Sequence, residues 1–586
     1  MDKLQALRKK MQDCGVDAYI VNTGDAHGSS WTAGHWGGKA WLTGFTGSAG
    51  TIVVTQSEGT LWTDGRYFIQ AERELAGTDV TLQKMGVPGV PKYHEYIKEK
   101  LANGGTIGFD GGAMTYTNHT ELMEKLGDAF TYEFSDLLGE IWQERPPMSS
   151  APAFEHPPQF AGLSAADKLA QVREKMVASN IDTYLVTGLE DFAWLLNIRG
   201  RDLPGTPVVY GFLLITMDAA TIFIDREKIS DFATKLTAQG FTIANYSDLA
   251  KALSELPGGK ILFNSKKTNT NLAHAIPTEI VRETETEDII TDLKAQKSAV
   301  EIANMRNAYL KESAALVRIV KWVDDNIKTG KTFTEDDVSN TLTDFRKELP
   351  DYICDSFPAI AAYAGNGAQA HYRHVGAGDT VQADGLLLLD TGGQYMDGTT
   401  DTTRTMAVGP LTEEMKRDFT AVLKGHIALN RAVFLKDTTG HALDMLARQP
   451  VLAILENYRH GTGHGIGYCL SVHEGPQGVA SRHTDVVLVP GMVISNEPAI
   501  YKEGKYGVRT ENALVVTELA TNNNGEFYHF ENLTFCPYDV RAIDPAMLSQ
   551  DEKDYINAYH GEVQEKLAPL LTAEEAAWLK EYCTTL

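Results

Sequence analysis

The sequence predicts a mixed α/β (α+β) chain of two similar N-terminal α/β domains followed by a larger C-terminal domain with a helical tail. Three observations carry this expectation: the length, an internal repeat, and a proline-rich break between the two copies. At 586 residues the chain is too long for one hydrophobic core, because single cores stop growing near roughly 250 to 300 residues. The repeat is visible by eye. Leu7-Arg8, Lys10-Met11 and Val16-Asp17-Ala18-Tyr19-Ile20-Val21 recur as Val172-Arg173, Lys175-Met176 and Ile181-Asp182-Thr183-Tyr184-Leu185-Val186, at a constant offset of 165 residues. In each copy an amphipathic helix leads into a short apolar strand. Further on, Trp62-Thr63-Asp64-Gly65-Arg66 parallels Phe223-Ile224-Asp225-Arg226.

Pro146 to Pro158 carries five prolines in 13 residues, which blocks helix and ladder formation and reads as a linker. The first domain is therefore expected over 1–160 and the second over 161–296. Glu283-Thr284-Glu285-Thr286-Glu287 is a polar break, after which Ile302, Met305, Tyr309, Leu316, Val320 and Val323 mark a long amphipathic helix. The third domain is expected over 297–586. Thr334 with Asp337 reads as a capping box ahead of a helix bearing Val338, Leu342, Phe345 and Leu349. Ser549 with Glu552 and Thr572 with Glu575 repeat the signal in the tail.

Composition excludes several classes of function. The formal net charge of −25 repels nucleic acid and anionic lipid. No apolar run approaches the ~18 residues that span a bilayer, and Met1-Asp2-Lys3-Leu4 lacks the apolar core of a secretion signal. Five scattered cysteines with no C-x-x-C pair suit a reducing compartment. The expectation is a soluble cytoplasmic protein that binds neither nucleic acid nor membrane.

Chemistry concentrates in the third domain. Leu386 to Thr405 reads LLLLDTGGQYMDGTTDTTRT, placing Asp390 at the end of an apolar run and Asp401 shortly after it. A carboxylate there is costly to desolvate unless a partner such as a cation compensates it. His460-Gly461-Thr462-Gly463-His464-Gly465-Ile466-Gly467 carries alternating glycines that rule out a stable helix, and in an extended chain residues four apart face the same side. His473 follows, ahead of Glu474-Gly475-Pro476. Pro490 to Pro498 feeds a second apolar run ending in Glu497, and Gly507-Val508-Arg509-Thr510-Glu511 puts Arg509 and Glu511 on one face of an expected strand. Each element alone reads equally as a turn or a surface residue. Four carboxylates and a histidine at strand ends of one domain point to an oxygen-rich site for Mn²⁺, Co²⁺, Fe²⁺ or Zn²⁺, hence to a binuclear hydrolase.

At these residues the chain resembles the pita-bread metallopeptidases, and within them the three-domain Xaa-Pro aminopeptidases. The resemblance covers nearly the full length. The family pattern D, ten residues, D, then H, E and E falls on Asp390, Asp401, His464, Glu497 and Glu511. It implies that these five ligate two divalent ions, Mn²⁺ foremost with Co²⁺ or Zn²⁺ as alternatives, and that a metal-activated bridging hydroxide attacks the bond ahead of a second-position proline. It further implies catalytic roles for Glu497, His371, His460 and His473, with Glu497 accepting the proton and His460 or His371 serving the oxyanion. Substrate contacts follow from Arg66, His371, His464, His473, Tyr501 and Arg509. The motifs Gly44-Phe45-Thr46-Gly47-Ser48-Ala49-Gly50 and Trp62-Thr63-Asp64-Gly65-Arg66-Tyr67-Phe68 match the family's N-terminal domain, and a homodimer is its common state. One departure concerns the free amine: longer members often carry an acidic residue where this chain has Ser30. Prolidases share the metal ligands but usually have one N-terminal domain, and a catalytically silent peptide-binding protein is the alternative from another class.

Overall fold

The computed structural model describes residues 2–285, 288–373 and 376–586. Thr286 and Glu287, the end of the expected polar break, lie outside the described residues. The chain divides into two compact units, one of 1–155, 163–204 and 208–290, the other of 156–162, 205–207 and 291–586.

Unit 1 contains the two repeats, and each builds the same six-stranded mixed sheet. In the first, β1 (Ala18–Asn22), β2 (Thr51–Thr55), β3 (Gly59–Thr63), β4 (Val80–Lys84), β5 (Gly105–Phe109) and β6 (Phe130–Glu133) lie in the order β4-β3-β2-β1-β5-β6. In the second, β7 (Thr183–Val186), β8 (Gly211–Thr216), β9 (Ala220–Ile224), β10 (Thr242–Ala244), β11 (Lys260–Asn264) and β12 (Val281–Glu285) lie in the order β10-β9-β8-β7-β11-β12. Strands β1 and β7 are the apolar runs of the repeat, buried nearly throughout because each is the central strand that its helix covers. The sequence pair at Asp64 and Asp225 follows the matching strands β3 and β9.

The copies join through reciprocal backbone bonds. Tyr116 N donates to Thr268 O at 2.8 Å and Thr270 N to Met114 O at 2.9 Å, while Thr117 N reaches Ser265 O and Asn271 N reaches Gly111 O. Beside this seam the first repeat lodges His27 in the second. Its Nδ1 meets Thr187 O at 2.8 Å, Nε2 meets Tyr246 Oη at 2.9 Å, and the ring stacks 4.3 Å from Phe212. Burial depresses the His27 pKa, so the ring sits there neutral.

Unit 2 opens on the helix Ala299–Thr329, started by a capping box of Ser298 and Glu301. Leu316, Val320 and Val323 enter a core shared with Leu342, Leu387, Leu389, Met406 and Val508, while Ile302, Met305 and Tyr309 pack on Ile466, Val493 and Val515. The helices capped by Thr334, Ser549 and Thr572 run Glu335–Lys347, Gln550–Leu567 and Ala573–Tyr582. Ile556, Tyr559, Val563, Trp578 and Leu579 of the tail belong to the same core, so the tail is an integral part of the unit. No described helix is long and apolar enough to cross a membrane.

Candidate active site

The site is assembled where several short strands of unit 2 end. Strand Leu386–Thr391 pairs antiparallel with Thr402–Ala407, with Asp390 opposite Thr403 and Thr391 opposite Thr402, so the turn between them brings Asp401 back beside Asp390. Glu511 N bonds Thr403 O at 3.1 Å, Glu497 N bonds Thr462 O at 2.7 Å, and Gly465 bridges Ile494. These bonds draw three separate chain segments onto the two aspartates. Glycine is required on the histidine strand because a Cβ at Gly463 would lie 1.8 Å from Ser495 O. Arg509 and Glu511 do not share a strand: Tyr506–Arg509 ends before Thr510, and Asn512–Asn522 starts after Glu511. The break arises because Thr510 and Glu511 hand the chain from a hairpin partner to the neighbouring sheet.

His464 Nε2 lies 3.3 Å from Asp401 Oδ2 and 3.6 Å from Glu497 Oε1. One ligand atom each from Asp401, His464 and Glu511 fall within 4.8 Å of one another. Nδ1–H of His464 donates to Gly465 O at 2.9 Å, which fixes the tautomer and turns the Nε2 lone pair toward the carboxylates. Burial first, then Asp390 and Glu497, pushes Asp401 well above the usual carboxylate range. Burial and then Asp401 do the same to Glu511. Glu497 is also raised by burial, against the pull of Arg509. Arg509 is the guanidinium that meets these acids, its Nη2 bonding Asp390 Oδ2. Burial opposes the Arg509 charge, but Tyr501, Asp390, Glu497 and Glu511 outweigh it. Asp390 Oδ1 is buried with no hydrogen-bond partner. Four converging carboxylates facing one guanidinium, with an orphaned oxygen and an imidazole lone pair aimed inward, fit divalent cations.

The remaining residues singled out by sequence take different places. Arg509 spends its guanidinium within the protein, donating also to Thr403 Oγ1 at 3.1 Å and Tyr501 Oη at 2.6 Å. Tyr501 in turn donates to His460 Nε2 at 2.9 Å, while His460 Nδ1–H donates to Gly461 O at 2.7 Å. Both nitrogens of His460 are thus engaged and burial pushes its pKa down to about 4. The expected oxyanion donor is here a neutral acceptor, because its only N–H is taken by its own backbone. The His473 ring stands edge-on to His464 at 4.3 Å. His371 follows Ala370, whose carbonyl Arg509 Nη1 reaches at 3.5 Å. Arg66 belongs to unit 1, where Asp64 holds it through two bonds of 2.8 Å.

Three contributors were not singled out by sequence. Thr403 Oγ1 donates to Glu511 Oε2 at 2.7 Å, Ser495 Oγ accepts from His464 N at 3.0 Å, and Tyr309 Oη accepts from Asp401 N at 3.2 Å. The register of Thr403 opposite Asp390 is the signal that points to the first.

The fold and this site define a metallopeptidase. Residues 303–518 match metallopeptidase family M24 and 526–586 its C-terminal region, while 3–146 and 144–301 each match a creatinase/prolidase N-terminal domain. Aminopeptidase P2 of Arabidopsis thaliana is 35% identical over 98% of this chain and 88% of its own. A probable Xaa-Pro aminopeptidase P of Coprinopsis cinerea is 36% identical over 100% and 98%. The crystal structure of X-prolyl aminopeptidase from Caenorhabditis elegans, described as a cytosolic enzyme with a di-nuclear active site, superposes with a TM-score of 0.94 at 31% identity, covering 100% of this chain and 99% of that one. The chain belongs to the Xaa-Pro aminopeptidase P family.

Proposed function

We propose that this chain is a metallo-aminopeptidase that hydrolyses the N-terminal Xaa-Pro bond of peptides, working in the cytoplasm as a homodimer. The observation that carries the reading is the cluster of Asp390, Asp401, Glu497 and Glu511 around the inward lone pair of His464, a set the protein leaves short of positive charge. These five residues would hold two divalent ions, Mn²⁺ by preference and Co²⁺ or Zn²⁺ otherwise. When bound, such ions supply Lewis acidity that lowers the pKa of water and polarises the scissile carbonyl.

The chain's own residues do the rest. Glu497 is the proton carrier, taking a proton from the attacking water at its carboxylate and giving it to the proline nitrogen, which is a tertiary amide nitrogen and cannot leave without one. Arg509 holds Asp390 aimed through its bond to Oδ2. Arg509, Tyr501 and His460 form a chain of hydrogen bonds that orients the wall of the site, so His460 steadies Tyr501. His371 and His473 face the substrate.

The test is a panel of peptides assayed with Mn²⁺. Arg-Pro-Pro is expected to lose its first residue, while its N-acetylated analogue and internal Xaa-Pro bonds survive. Preferential turnover of Xaa-Pro dipeptides would transfer the assignment to a prolidase, and turnover of blocked peptides would end the aminopeptidase reading.

A further inference from the structure

Outside the ligand set, a buried carboxylate gripped by two lysines lies on the segment that follows His464. Glu474 Oε1 lies 2.7 Å from Lys297 Nζ and Oε2 lies 3.1 Å from Lys294 Nζ, with all three side chains at most 5% exposed. Burial opposes the Glu474 charge, but Lys294 and Lys297 outweigh it and hold the carboxyl below its ordinary range. Such a triad gains little stability over an apolar replacement of the same volume, because desolvating three charges consumes most of their attraction. What it does supply is direction.

The directions are visible in the backbone. Glu474 N donates to Gly465 O at 2.8 Å, and that same carbonyl accepts Nδ1–H of the metal-ligand histidine His464 at 2.9 Å. Gly465 N and Gly467 N return bonds to Gln477 O and Ser471 O, laying 471–477 along the His464 segment. The fit is close enough that a Cβ at Gly465 would stand 1.9 Å from Glu474 O. From this anchored residue the Glu474 side chain turns inward to the lysines, while its neighbour His473 is exposed and edge-on to His464. Lys297 is fixed in turn by its N–H on Gly491 O at 3.0 Å, just ahead of the strand Val493–Asn496 that leads into Glu497.

We propose that Glu474, clamped between Lys294 and Lys297, is a positioning residue that sets His473 against His464 for the substrate. The inference deepens the aminopeptidase reading and rests on it only for the role of His473. It supplies no atom to the reaction.

Two measurements test it. The first is independent of what the enzyme cleaves: carbethoxylation of His473 by diethyl pyrocarbonate, followed by peptide mass spectrometry. In Glu474→Gln the ring is released, and its modification rate is expected to rise at least about threefold. An unchanged rate overturns the proposal. The second is a double-variant cycle in kcat/KM on an Xaa-Pro-Yaa tripeptide, with metal content and Tm measured throughout. Glu474→Gln is expected to lower kcat/KM by about tenfold or more, and Glu474→Gln with His473→Ala to be no worse than His473→Ala alone, because coupled residues are non-additive. Fully additive losses overturn the proposal. Since Glu474→Gln strands two buried lysines, the neutral variant Lys294→Met/Lys297→Met/Glu474→Gln is the control for folding. A wild-type Tm with the tenfold loss retained supports positioning, whereas wild-type kcat/KM overturns it. A wild-type enzyme inactive on every Xaa-Pro peptide fails the functional reading alone, and the modification experiment still decides the role of Glu474.

Discussion

Unit 2 buries two clusters of carboxylates and treats them in opposite ways. Around Glu312 the protein closes every bond itself: Arg346 Nε donates to both carboxylate oxygens at 3.0 and 3.2 Å, and Tyr395 Oη adds a bond of 2.7 Å. The same Arg346 reaches Asp355 Oδ1 and Thr391 Oγ1, each at 2.8 Å. One residue before Thr391 in the strand, at Asp390, the accounting stops closing. Asp390 keeps an orphaned oxygen, and Asp401, Glu497 and Glu511 are pushed above the usual carboxylate range. Adjacent residues of one strand therefore serve a finished ion network and an unfinished one. Buried charge left short of partners marks a place reserved for something that arrives later.

Removing that arrival is the strongest way to break the contrast. Exhaustive chelation is expected to abolish peptide hydrolysis, and Mn²⁺ or Co²⁺ to restore it. Metal at 100 times its Kd should also raise the unfolding free energy by about 2.7 kcal/mol, read from denaturant or thermal curves. Full activity in metal-free protein would sink the metallopeptidase reading.

Next in size is Asp401→Asn. Turnover and metal content should fall together by about a hundredfold or more, while the metal-free protein unfolds no earlier than metal-free wild type, because a like charge among buried acids has been removed. Glu312→Gln should respond the other way. Breaking a completed buried pair costs about 3 to 5 kcal/mol, yet metal bound per folded molecule should stay at the wild-type level. A loss of metal without loss of stability in Glu312→Gln would erase the distinction between the clusters. The smallest effect is expected for Tyr501→Phe, which deletes the hydroxyl between Arg509 and His460. Loss of about 1 to 1.5 kcal/mol of hydrogen bonding should appear as roughly a tenfold fall in kcat/KM, with metal content unchanged.

Much of this is legible in the sequence, for physical reasons that differ by residue. Asp390 and Glu497 stand out because an acid at the end of an apolar run is expensive, and His464 because the glycines around it leave no helix for it to sit in. The duplicated sheets were legible because strands β1 and β7 carry the same buried pattern. Thr403, Ser495 and Tyr309 were not, since their roles depend on register and on which side chains meet across sheets. The same limit explains His460: spacing alone put it on the face of His464, but its N–H is taken by Gly461 O, a bond set by local backbone geometry. The sequence reads Arg509 and Glu511 as one strand because nothing in Val508 to Asn512 announces the change of sheet at Thr510.

The seam between the two repeats has a consequence for assembly. Two separate chains making the Tyr116–Thr268 and Thr270–Met114 exchange would part on dilution, since their association depends on how many copies share the volume. Here the tether sets the effective concentration, of millimolar order for short flexible connections, whatever the expression level. The pairing is always one to one and always in the same order. Each half is then free to drift from the other, as His27 on one side and its socket of Thr187, Phe212 and Tyr246 on the other already illustrate.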